Sequence, residues 1–358
     1  MPAGMHLKSD GFASSLSAPV KGSTLGDYCR GQGIAYDDLN LPVTLETFLA
    51  YGLDFQKRFV PMLEARSVEQ LDPAETGYLL RLDTGEVVAA RQVVLAIGIT
   101  HFDNTPEALA YLPKTWLSHA SAHCDFQQFN GLNVAVLGSG SSAVDVAANL
   151  AEAGAKVHLI ARQPQIKFRA SPTGKPRSLW SRLRHPKSGL GPGIRSWLCC
   201  HAPDLYRWLP SAARIAILRR HLGPSSPGSM RTRVEGQVAM LCGRRLAKAE
   251  AIEGRIRLHL NSGTRDTEVL DIDHVICGTG YQTQLKRLAF VDGDLRRGLK
   301  AVDGSPVVSR NFESSSKGLY FVGIAAASSF GPLMRFMYGV EFAAPRITQH
   351  LSARARSR

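Results

Sequence analysis

The chain has 358 residues, 44% of them hydrophobic and 20% charged, which excludes a mostly disordered chain, a collagen and a coiled coil. At roughly 150 residues per domain, this length predicts two domains. The formal net charge is +13, and residues 162–235 alone contain 15 lysines and arginines against two acidic residues. The charge excess is therefore local, and an anionic partner of that segment has to be considered.

The cysteines and the apolar runs indicate the compartment. The six cysteines form no CxxC pair and no Cys/His spacing suited to zinc, so we expect no metal site and disfavour a disulfide reductase. Cysteines this sparse fit a reducing compartment. The N-terminal residues lack the apolar core of a signal peptide, and the uncharged run at residues 318–334 is interrupted by glycine and proline. We expect a cytoplasmic protein.

Two segments share one layout. Residues 78–98 predict a strand, a glycine-containing turn, a return strand and a short apolar strand that ends at Gly98. Residues 255–280 repeat this order and end at Gly280. Because a glycine at a strand end suits the close approach of a cofactor, the repeat predicts two related nucleotide-binding units. Two unrelated hairpins are the alternative.

The first copy of the repeat has no dinucleotide-binding fingerprint before Gly98. The G-x-G sequence at residues 31–33 does not follow an apolar strand. We therefore expect the chain to begin inside its first nucleotide-binding unit, without an opening strand–loop–helix of roughly 30 residues. Such a form would expose a sheet edge, and we expect it to be poorly soluble or free of flavin.

Residues 133–162 carry the clearest functional signal. An apolar strand at 134–137 precedes a G-x-G-x-x-A sequence, a helical pattern that ends at Gly154 and a second strand at 157–160. A dinucleotide-binding fingerprint requires this context, although a plain βαβ unit is the alternative. The glycines permit a tight turn and close approach of a pyrophosphate, and the alanine permits close helix packing. The candidate cofactor-binding residues are Gly138, Ser139, Gly140, Ser141, Ser142 and Ala143.

The second strand of this unit is followed by Arg162 and not by an acidic residue. An acid there would bind the ribose 2′-hydroxyl of NAD, whereas a guanidinium suits a 2′-phosphate because it forks onto phosphate oxygens. The sequence thus favours NADPH over NADH. The alternative is that Arg162 is merely the first residue of the basic segment.

Near the C-terminus, residues 319–322 predict a strand that is followed by Gly323. Ser328 or Ser329 is expected to cap a helix with Pro332 in its first turn. The N-terminus of that helix would stabilise negative charge on a ring that is being reduced. The alternative is a buried strand–helix corner.

These segments together resemble the class B flavin-dependent monooxygenases, and more closely the bacterial proteins that are similar to FAD-dependent urate hydroxylase. The likeness is carried by the fingerprint, by strand ends at 96–98, 278–281 and 319–323, and by a stretch at 117–123 similar to the family signature F-x-G-x-x-x-H-S. Residues 5–14 and 328–336 are similar to the second group.

The resemblance implies an α/β fold with two Rossmann-like dinucleotide-binding domains, arranged as in glutathione reductase. An FAD domain would be split between residues 1–125 and 275–358. An NADPH domain, residues 130–274, would be inserted between them and would carry a basic helical insertion at 165–235. The implied flavin-binding residues are Lys8, Ser9, Gln56, Val68, Gly98, Gly280, Gly323, Phe330 and Gly331. Arg335 is the candidate catalytic residue, although a solvated helix residue is the alternative.

The activity that the resemblance implies is NADPH-dependent monooxygenation. Hydride would pass from NADPH to FAD, and O₂ would then oxygenate a small organic substrate through a peroxyflavin, with the cofactor carrying the bond chemistry. Two alternatives stay open. One is a truncated, non-catalytic dinucleotide-binding protein, as the missing fingerprint suggests, and the other is a flavoprotein oxidoreductase without oxygenation.

The basic segment at 165–235 mixes Leu, Trp, Ile and Arg at helical spacing. We favour a helical insertion that covers the active site and gathers anionic NADPH. A hairpin on a membrane surface, with Trp180, Trp197 and Trp208 at the interface, is the first alternative. A nucleic-acid surface is the second, and we expect no nucleic-acid partner. The sequence indicates no oligomeric state.

Overall fold

A computed structural model describes residues 5–39, 41–169, 180, 184–221, 225–262 and 267–356. The basic residues Lys175, Arg177 and Arg182 of the predicted insertion lie outside this part. The chain divides into two compact units. The first unit comprises the described residues within 102–173 and 222–282, and the second comprises those within 4–101, 174–221 and 283–358.

Runs of strands and runs of helices follow one another along the chain. The strands are β1 (Val68–Ala74), β2 (Gly77–Leu82), β3 (Val87–Ala90), β4 (Val93–Leu95), β5 (Leu117–His119), β6 (Asn133–Leu137), β7 (Lys156–Ala161), β8 (Phe168–Arg169), β9 (Ser226–Pro227), β10 (Ala239–Cys242), β11 (Arg245–Ile252), β12 (Arg255–Asn261), β13 (Thr267–Ile272), β14 (His274–Cys277), β15 (Ala301–Val302), β16 (Ser305–Pro306) and β17 (Leu319–Phe321). The helices are α1 (Leu25–Gly31), α2 (Leu45–Phe59), α3 (Ser141–Glu152), α4 (Ile194–His201), α5 (Pro203–Arg207), α6 (Ser211–Arg220), α7 (Arg231–Val234), α8 (Gly293–Gly298), α9 (Ala327–Phe330) and α10 (Val340–Arg356).

The first unit is built on a parallel sheet of five strands in the order β10-β7-β6-β14-β5. Its central strands are continuous apolar runs because both faces are covered. On one face, α3 packs Val144, Ala147 and Leu150 into the core. On the other, the antiparallel sheet β11-β12-β13 contributes Ile256 and Leu258. The predicted strand–turn–helix–strand is confirmed as β6, α3 and β7.

The second unit contains the antiparallel sheet β1-β2-β3 and the parallel pair β4-β17. The helices α1 and α2 pack around Tyr51, whose hydroxyl donates to the Ser23 carbonyl at 2.8 Å and accepts from the Leu16 amide at 2.9 Å. The long helix α10 is attached to the rest of this unit through Arg354, which bonds the Glu313 carboxylate at 2.5 Å. These contacts join residues far apart in the sequence into one unit.

The predicted internal repeat is confirmed. In each copy an antiparallel meander, β1-β2-β3 or β11-β12-β13, is followed at once by a parallel strand, β4 or β14. The predicted strand at 319–322 is also confirmed, as β17.

The structure groups the basic helices differently from the expected division. The helices α4 to α6 were expected in an NADPH domain formed by residues 130–274, but they belong to the second unit. Arg207 and Arg214 hold them there by donating to the carbonyls of Val308 and Ser328, each at 2.9 Å. Residues 102–125 were expected in the split domain, but they supply β5 to the sheet of the first unit. Which unit takes which nucleotide stays a prediction.

The predicted cap near the C-terminus is wrong. Ser328 and Ser329 lie inside α9 and are buried. The Ser328 hydroxyl donates to the Pro306 carbonyl at 3.1 Å, and that of Ser329 accepts from the Val308 amide at 3.1 Å. Gly331 precedes the short 3₁₀ turn that begins at Pro332. Both serine hydroxyls therefore bond the neighbouring segment and do not cap a helix. The alternative, a buried strand–helix corner, is the arrangement observed.

Candidate dinucleotide-binding site

The fingerprint loop lies at the carboxyl edge of the five-stranded sheet. Gly138 follows β6 with a φ of +140°, a conformation that side-chain-bearing residues rarely adopt. Its amide donates to the Ile160 carbonyl at 2.9 Å. A Cβ atom at this position would run into the carbonyl oxygen of Gly278, which follows β14. Two strand ends thus approach each other here as closely as two backbones can.

Ala143 explains why the third position of the fingerprint must be small. A Cβ added to Gly278 would lie 2.5 Å from the Cβ of Ala143, so the first turn of α3 rests directly on the end of β14. Ala143 itself is completely buried. This packing fixes the N-terminus of α3 over the sheet edge.

The first turn of α3 is open to an anion. Gly140 occupies the N-cap and has no side chain that could accept from the first-turn amides. Ser139 is buried, and the Ser141 hydroxyl donates to the Ser225 carbonyl at 2.8 Å. Ser142 is exposed, so its hydroxyl can reach a bound group. The loop therefore offers backbone amides and one hydroxyl at the positive end of a helix.

Arg162 lies at the same edge, directly after β7. Its side chain is exposed and has no partner within the part of the chain that the structure describes. Its neighbour Arg244, whose amide donates to the Ala161 carbonyl at 3.0 Å, pairs instead with Glu268 at 2.8 Å. Of these two guanidinium groups, Arg162 is the one available to a ligand.

His119 holds the loop that follows β14, and sequence reasoning missed this role. The imidazole is buried, with Nε2 3.2 Å from the Gly280 carbonyl and Nδ1 2.8 Å from the Ser121 hydroxyl. A carbonyl only accepts, so Nε2 carries the proton in this arrangement. The Asn104 amide donates to the same carbonyl at 2.9 Å. The signal available in the sequence was His119 two residues before Ser121, within the stretch 117–123.

Two further imidazoles, His123 and His274, form a pair around the hydroxyl of Ser118. The Ser118 hydroxyl is 2.6 Å from Nε2 of His123 and 2.8 Å from Nε2 of His274. Burial and the neighbouring His123 lower the pKa of His274 to about 4, and burial also lowers the pKa of His123. Both rings are therefore neutral near pH 7, and the single hydroxyl can donate to one ring and accept from the other.

The candidate flavin residues are divided between the units. Gly280 belongs to the first unit, and the other candidates belong to the second. Gly98 and Gly323 follow the neighbouring parallel strands β4 and β17, so the structure brings these two together. Both are exposed, both have a φ of +64°, and no atom lies within 4 Å of an added Cβ.

The remaining flavin candidates of the N-terminal part lie on separate elements. Lys8 is half-buried, and the Ser9 hydroxyl is 2.9 Å from that of Ser14. Gln56 lies on α2 and its amide donates to the Val60 carbonyl at 2.8 Å. Val68 begins β1 and is 37% exposed.

The C-terminal candidates differ in their accessibility. The Phe330 ring is completely buried, packed 4.5 Å from the Phe312 ring, and therefore offers no surface to a flavin. Gly331 is also buried, with the Tyr206 ring 3.2 Å from an added Cβ. Arg335 is exposed, and its Nη1 lies 3.4 Å from the Leu218 carbonyl.

No cluster of metal ligands and no helix long and apolar enough to cross a membrane occur among the described residues. Burial raises the pKa of the Cys277 thiol to about 12, which keeps it protonated beside the fingerprint loop. The site therefore offers phosphate-binding groups and no reactive thiolate.

Comparison with known proteins agrees with this geometry. Residues 48–180 match the family model for pyridine nucleotide-disulphide oxidoreductases. The chain is 27% identical over 274 residues to the indole-3-pyruvate monooxygenase YUCCA1 of Oryza sativa subsp. japonica, covering 73% of the chain and 63% of that protein. It is 32% identical over 141 residues to a ferredoxin–NADP reductase of Gluconacetobacter diazotrophicus, covering 38% of the chain and 41% of that protein. The chain thus spans less than two thirds of either relative.

Solved structures show the same fold over nearly the whole chain. The L-lysine 6-monooxygenase of Pseudomonas syringae superposes with a TM-score of 0.72 at 20% identity, covering 98% of this chain and 87% of that one. The ornithine hydroxylase of Pseudomonas aeruginosa gives 0.71 at 18% identity, covering 97% and 86%. The chain therefore has the two-dinucleotide-binding-domain flavoprotein fold and is similar to the class B flavin-dependent monooxygenases.

Proposed function

We propose that this protein is an NADPH-dependent flavoprotein monooxygenase that acts on a small organic substrate with O₂. The observation that carries the proposal is the carboxyl edge of the five-stranded sheet. At this edge lie the fingerprint loop, the open first turn of α3 and the exposed Arg162. The similarity to monooxygenases supports the assignment of the reaction class.

The residues at this edge fit NADPH. The amides at the start of α3 and the Ser142 hydroxyl would hold the pyrophosphate, as helix N-termini hold anions. Arg162 would hold the 2′-phosphate, because a guanidinium forms paired hydrogen bonds with phosphate oxygens. His119 would act as a positioning residue, since it fixes the Gly280 carbonyl and with it the loop after β14.

The residues proposed for FAD fit it less completely. Gly98 and Gly323 leave open space at two adjacent strand ends, which suits close approach of a cofactor. We keep Lys8, Ser9, Gln56, Val68 and Gly280 as candidates on the family resemblance. Phe330 and Gly331 would support the site from the core and not touch the flavin, because both are buried.

When bound, NADPH would supply a hydride and FAD would carry it to the reaction with O₂. The chain would contribute binding, orientation and exclusion of water. The helices α5 and α6 are suited to exclusion, since Tyr206, Arg207 and Arg214 fasten them to the segment 308–331. We assign to α5 and α6 the covering role in the second unit.

We also propose that the protein is cytoplasmic, because its cysteines are sparse.

A flavoprotein oxidoreductase without oxygenation is the second candidate function. The match to ferredoxin–NADP reductases over 141 residues favours it. In that case NADPH would reduce an external electron acceptor, and no oxygen atom would reach an organic product.

Both candidates are tested with the purified protein and added FAD. A monooxygenase should take up flavin, show its visible absorbance, and consume NADPH and O₂ with ¹⁸O from ¹⁸O₂ entering the product. NADPH oxidation that needs only an artificial electron acceptor would favour the second candidate. A protein that binds NADPH but stays colourless with added FAD would contradict both and indicate a dinucleotide-binding protein without flavin chemistry.

A further inference from the structure

The helix α4 presents an apolar face to solvent. Ile194, Trp197 and Leu198 are spaced i, i+3 and i+4, which places them on one side of the helix. They are 57%, 39% and 47% exposed. The buried residues of this helix, Ser196 and Cys200, are not part of this set. An α-helix of a globular unit usually turns its apolar side inward, so this orientation needs an explanation.

A second exposed apolar group follows on α5 and directly after it. Leu205 lies on α5, Trp208 caps its C-terminus and Leu209 follows; they are 59%, 85% and 38% exposed. We call these six side chains the tryptophan surface. It consists of Ile194, Trp197, Leu198, Leu205, Trp208 and Leu209. Single exposed apolar residues are common, but six of them on α4 and on the adjoining residues 205–209 indicate a binding surface.

The tryptophan surface is not the side by which these helices attach to the second unit. That side consists of the buried Tyr206 ring, which packs against Gly331, and of Arg207 and Arg214, which donate to backbone carbonyls. The helices thus have one face anchored in the second unit and another face directed to solvent. Covering the active site and binding an external partner are therefore compatible roles.

The charge around the tryptophan surface selects the partner. Residues 184–221 contain seven lysines and arginines, and their one acidic residue, Asp204, is paired with Arg346 at 2.8 Å. Arg184, Lys187, Arg195 and Arg220 are exposed and form no ion pair within the described residues. A second copy of the chain would bring like charges together on this surface. An anionic partner is the complementary one.

We propose that the tryptophan surface docks on an anionic lipid membrane. Trp197 and Trp208 would enter the headgroup region, where amphipathic rings are favoured, and the neighbouring exposed cations would contact lipid phosphates. Short helices with an apolar outer face lie in the plane of such an interface and do not cross it. The proposal does not depend on the proposed enzymatic activity.

The test measures binding of the full chain to vesicles by sedimentation and by tryptophan fluorescence. We expect binding to mixed phosphatidylserine–phosphatidylcholine vesicles, little binding to phosphatidylcholine alone, and weaker binding at high salt. The double variant Trp197→Ser/Trp208→Ser should bind at least about tenfold more weakly. Arg195→Glu/Arg220→Glu should lose most of the preference for phosphatidylserine.

The matched control is Tyr111→Ser, which removes an aromatic side chain that is 94% exposed on the first unit. It should bind vesicles like the unchanged protein, and circular dichroism should show all variants folded. Absence of binding to phosphatidylserine vesicles, or binding that the tryptophan variant does not weaken, would overturn the proposal. So would self-association or RNA binding that the variant abolishes while vesicle binding is absent.

Discussion

The two copies of the repeat have the same order of strands, but their final strands, β4 and β14, lie in different surroundings. Ile276 of β14 is completely buried within the five-stranded sheet, whereas Val94, at the same place in β4, is 37% exposed. Two residues on, Gly278 lies against Ala143 of α3, whereas its counterpart Ala96 is exposed. Within the described residues, β4 pairs with β17 alone.

The difference shows what makes a glycine necessary at a strand end. Where a helix starts on the strand, as α3 does on β14, there is no room for a Cβ atom. Where the strand end faces open space, alanine is accommodated. The residue after each strand therefore indicates whether a dinucleotide-binding helix packs against that strand end. Substitutions in the two copies can test this difference.

Substitution at the fingerprint turn should have the largest effect. Gly138→Ala places a Cβ against the Gly278 carbonyl and strains a backbone with a φ of +140°. The free energy of unfolding of the first unit should fall by about 3 kcal/mol or more. Denaturant unfolding measures this loss. Gly22→Ala, also at positive φ but with open surroundings, is the control and should lose less.

Substitution at the end of β14 should have a somewhat smaller effect. Gly278→Ala would force α3 away from the sheet, because the added Cβ would lie 2.5 Å from that of Ala143. We expect a loss of about 2–3 kcal/mol in the free energy of unfolding and weaker NADPH binding, measured by chemical denaturation and titration. A neutral outcome would show that α3 can shift freely, and the explanation of the glycine would be wrong.

The residue at the start of the final strand differs between the two copies, and this predicts a difference in how their stability depends on pH. His274 of β14 corresponds to Gln92 before β4. Because burial lowers the pKa of folded His274 to about 4, the unfolded chain takes up the proton first as the pH falls. Stability should drop by about 1–2 kcal/mol between pH 6.5 and pH 4, allowing for partial exposure.

The variant His274→Gln introduces the residue of the other copy and should flatten this pH dependence. Unfolding measured at several pH values checks it, with the exposed His6→Asn as the control. If the stability of His274→Gln depended on pH as steeply as that of the unchanged protein, the pair of His123 and His274 would not explain the pH dependence. The contribution of His123 should remain, since burial lowers its pKa as well.

Substitution at the end of β4 should have the smallest effect. Ala96→Gly introduces after β4 the residue that Gly278 supplies after β14, but no helix gains room from the change because Ala96 is already exposed. A loss of about 0.5–1 kcal/mol is expected from the added freedom of the unfolded chain. Thermal or chemical unfolding measures it. A loss as large as that of Gly278→Ala would erase the difference between the copies.

Periodicity and glycine spacing predicted the local structure well. The unit β6-α3-β7 and the segments β2-β3-β4 and β12-β13-β14 follow from apolar runs and turn residues alone, whereas the preceding strands β1 and β11 were not predicted. Long-range packing was not predictable. Arg207 and Arg214 look like part of a uniform charge run, yet each bonds a backbone carbonyl about a hundred residues away. Nothing in local sequence indicates such a partner.

The candidate site shows the same limit. The fingerprint loop and Arg162 are local to one motif and could be predicted directly from the sequence. Ser328 and Ser329 have the residue type of helix caps, but they bond Pro306 and Val308, which lie in a distant segment. Phe330 has the position of a flavin contact in the family, but its ring lies in the core. Residue type predicts chemistry only where the partner is near in sequence.

The central claim is that NADPH binds at the Gly138 edge with its 2′-phosphate on Arg162. Titration of the unchanged protein and of Arg162→Ala with NADPH and with NADH tests it most directly. The variant should lose about 1.5–3 kcal/mol of NADPH binding and little of NADH binding, while Lys156→Ala, exposed at the other end of β7, should lose neither. Equal losses for both nucleotides, or none, would contradict the claim.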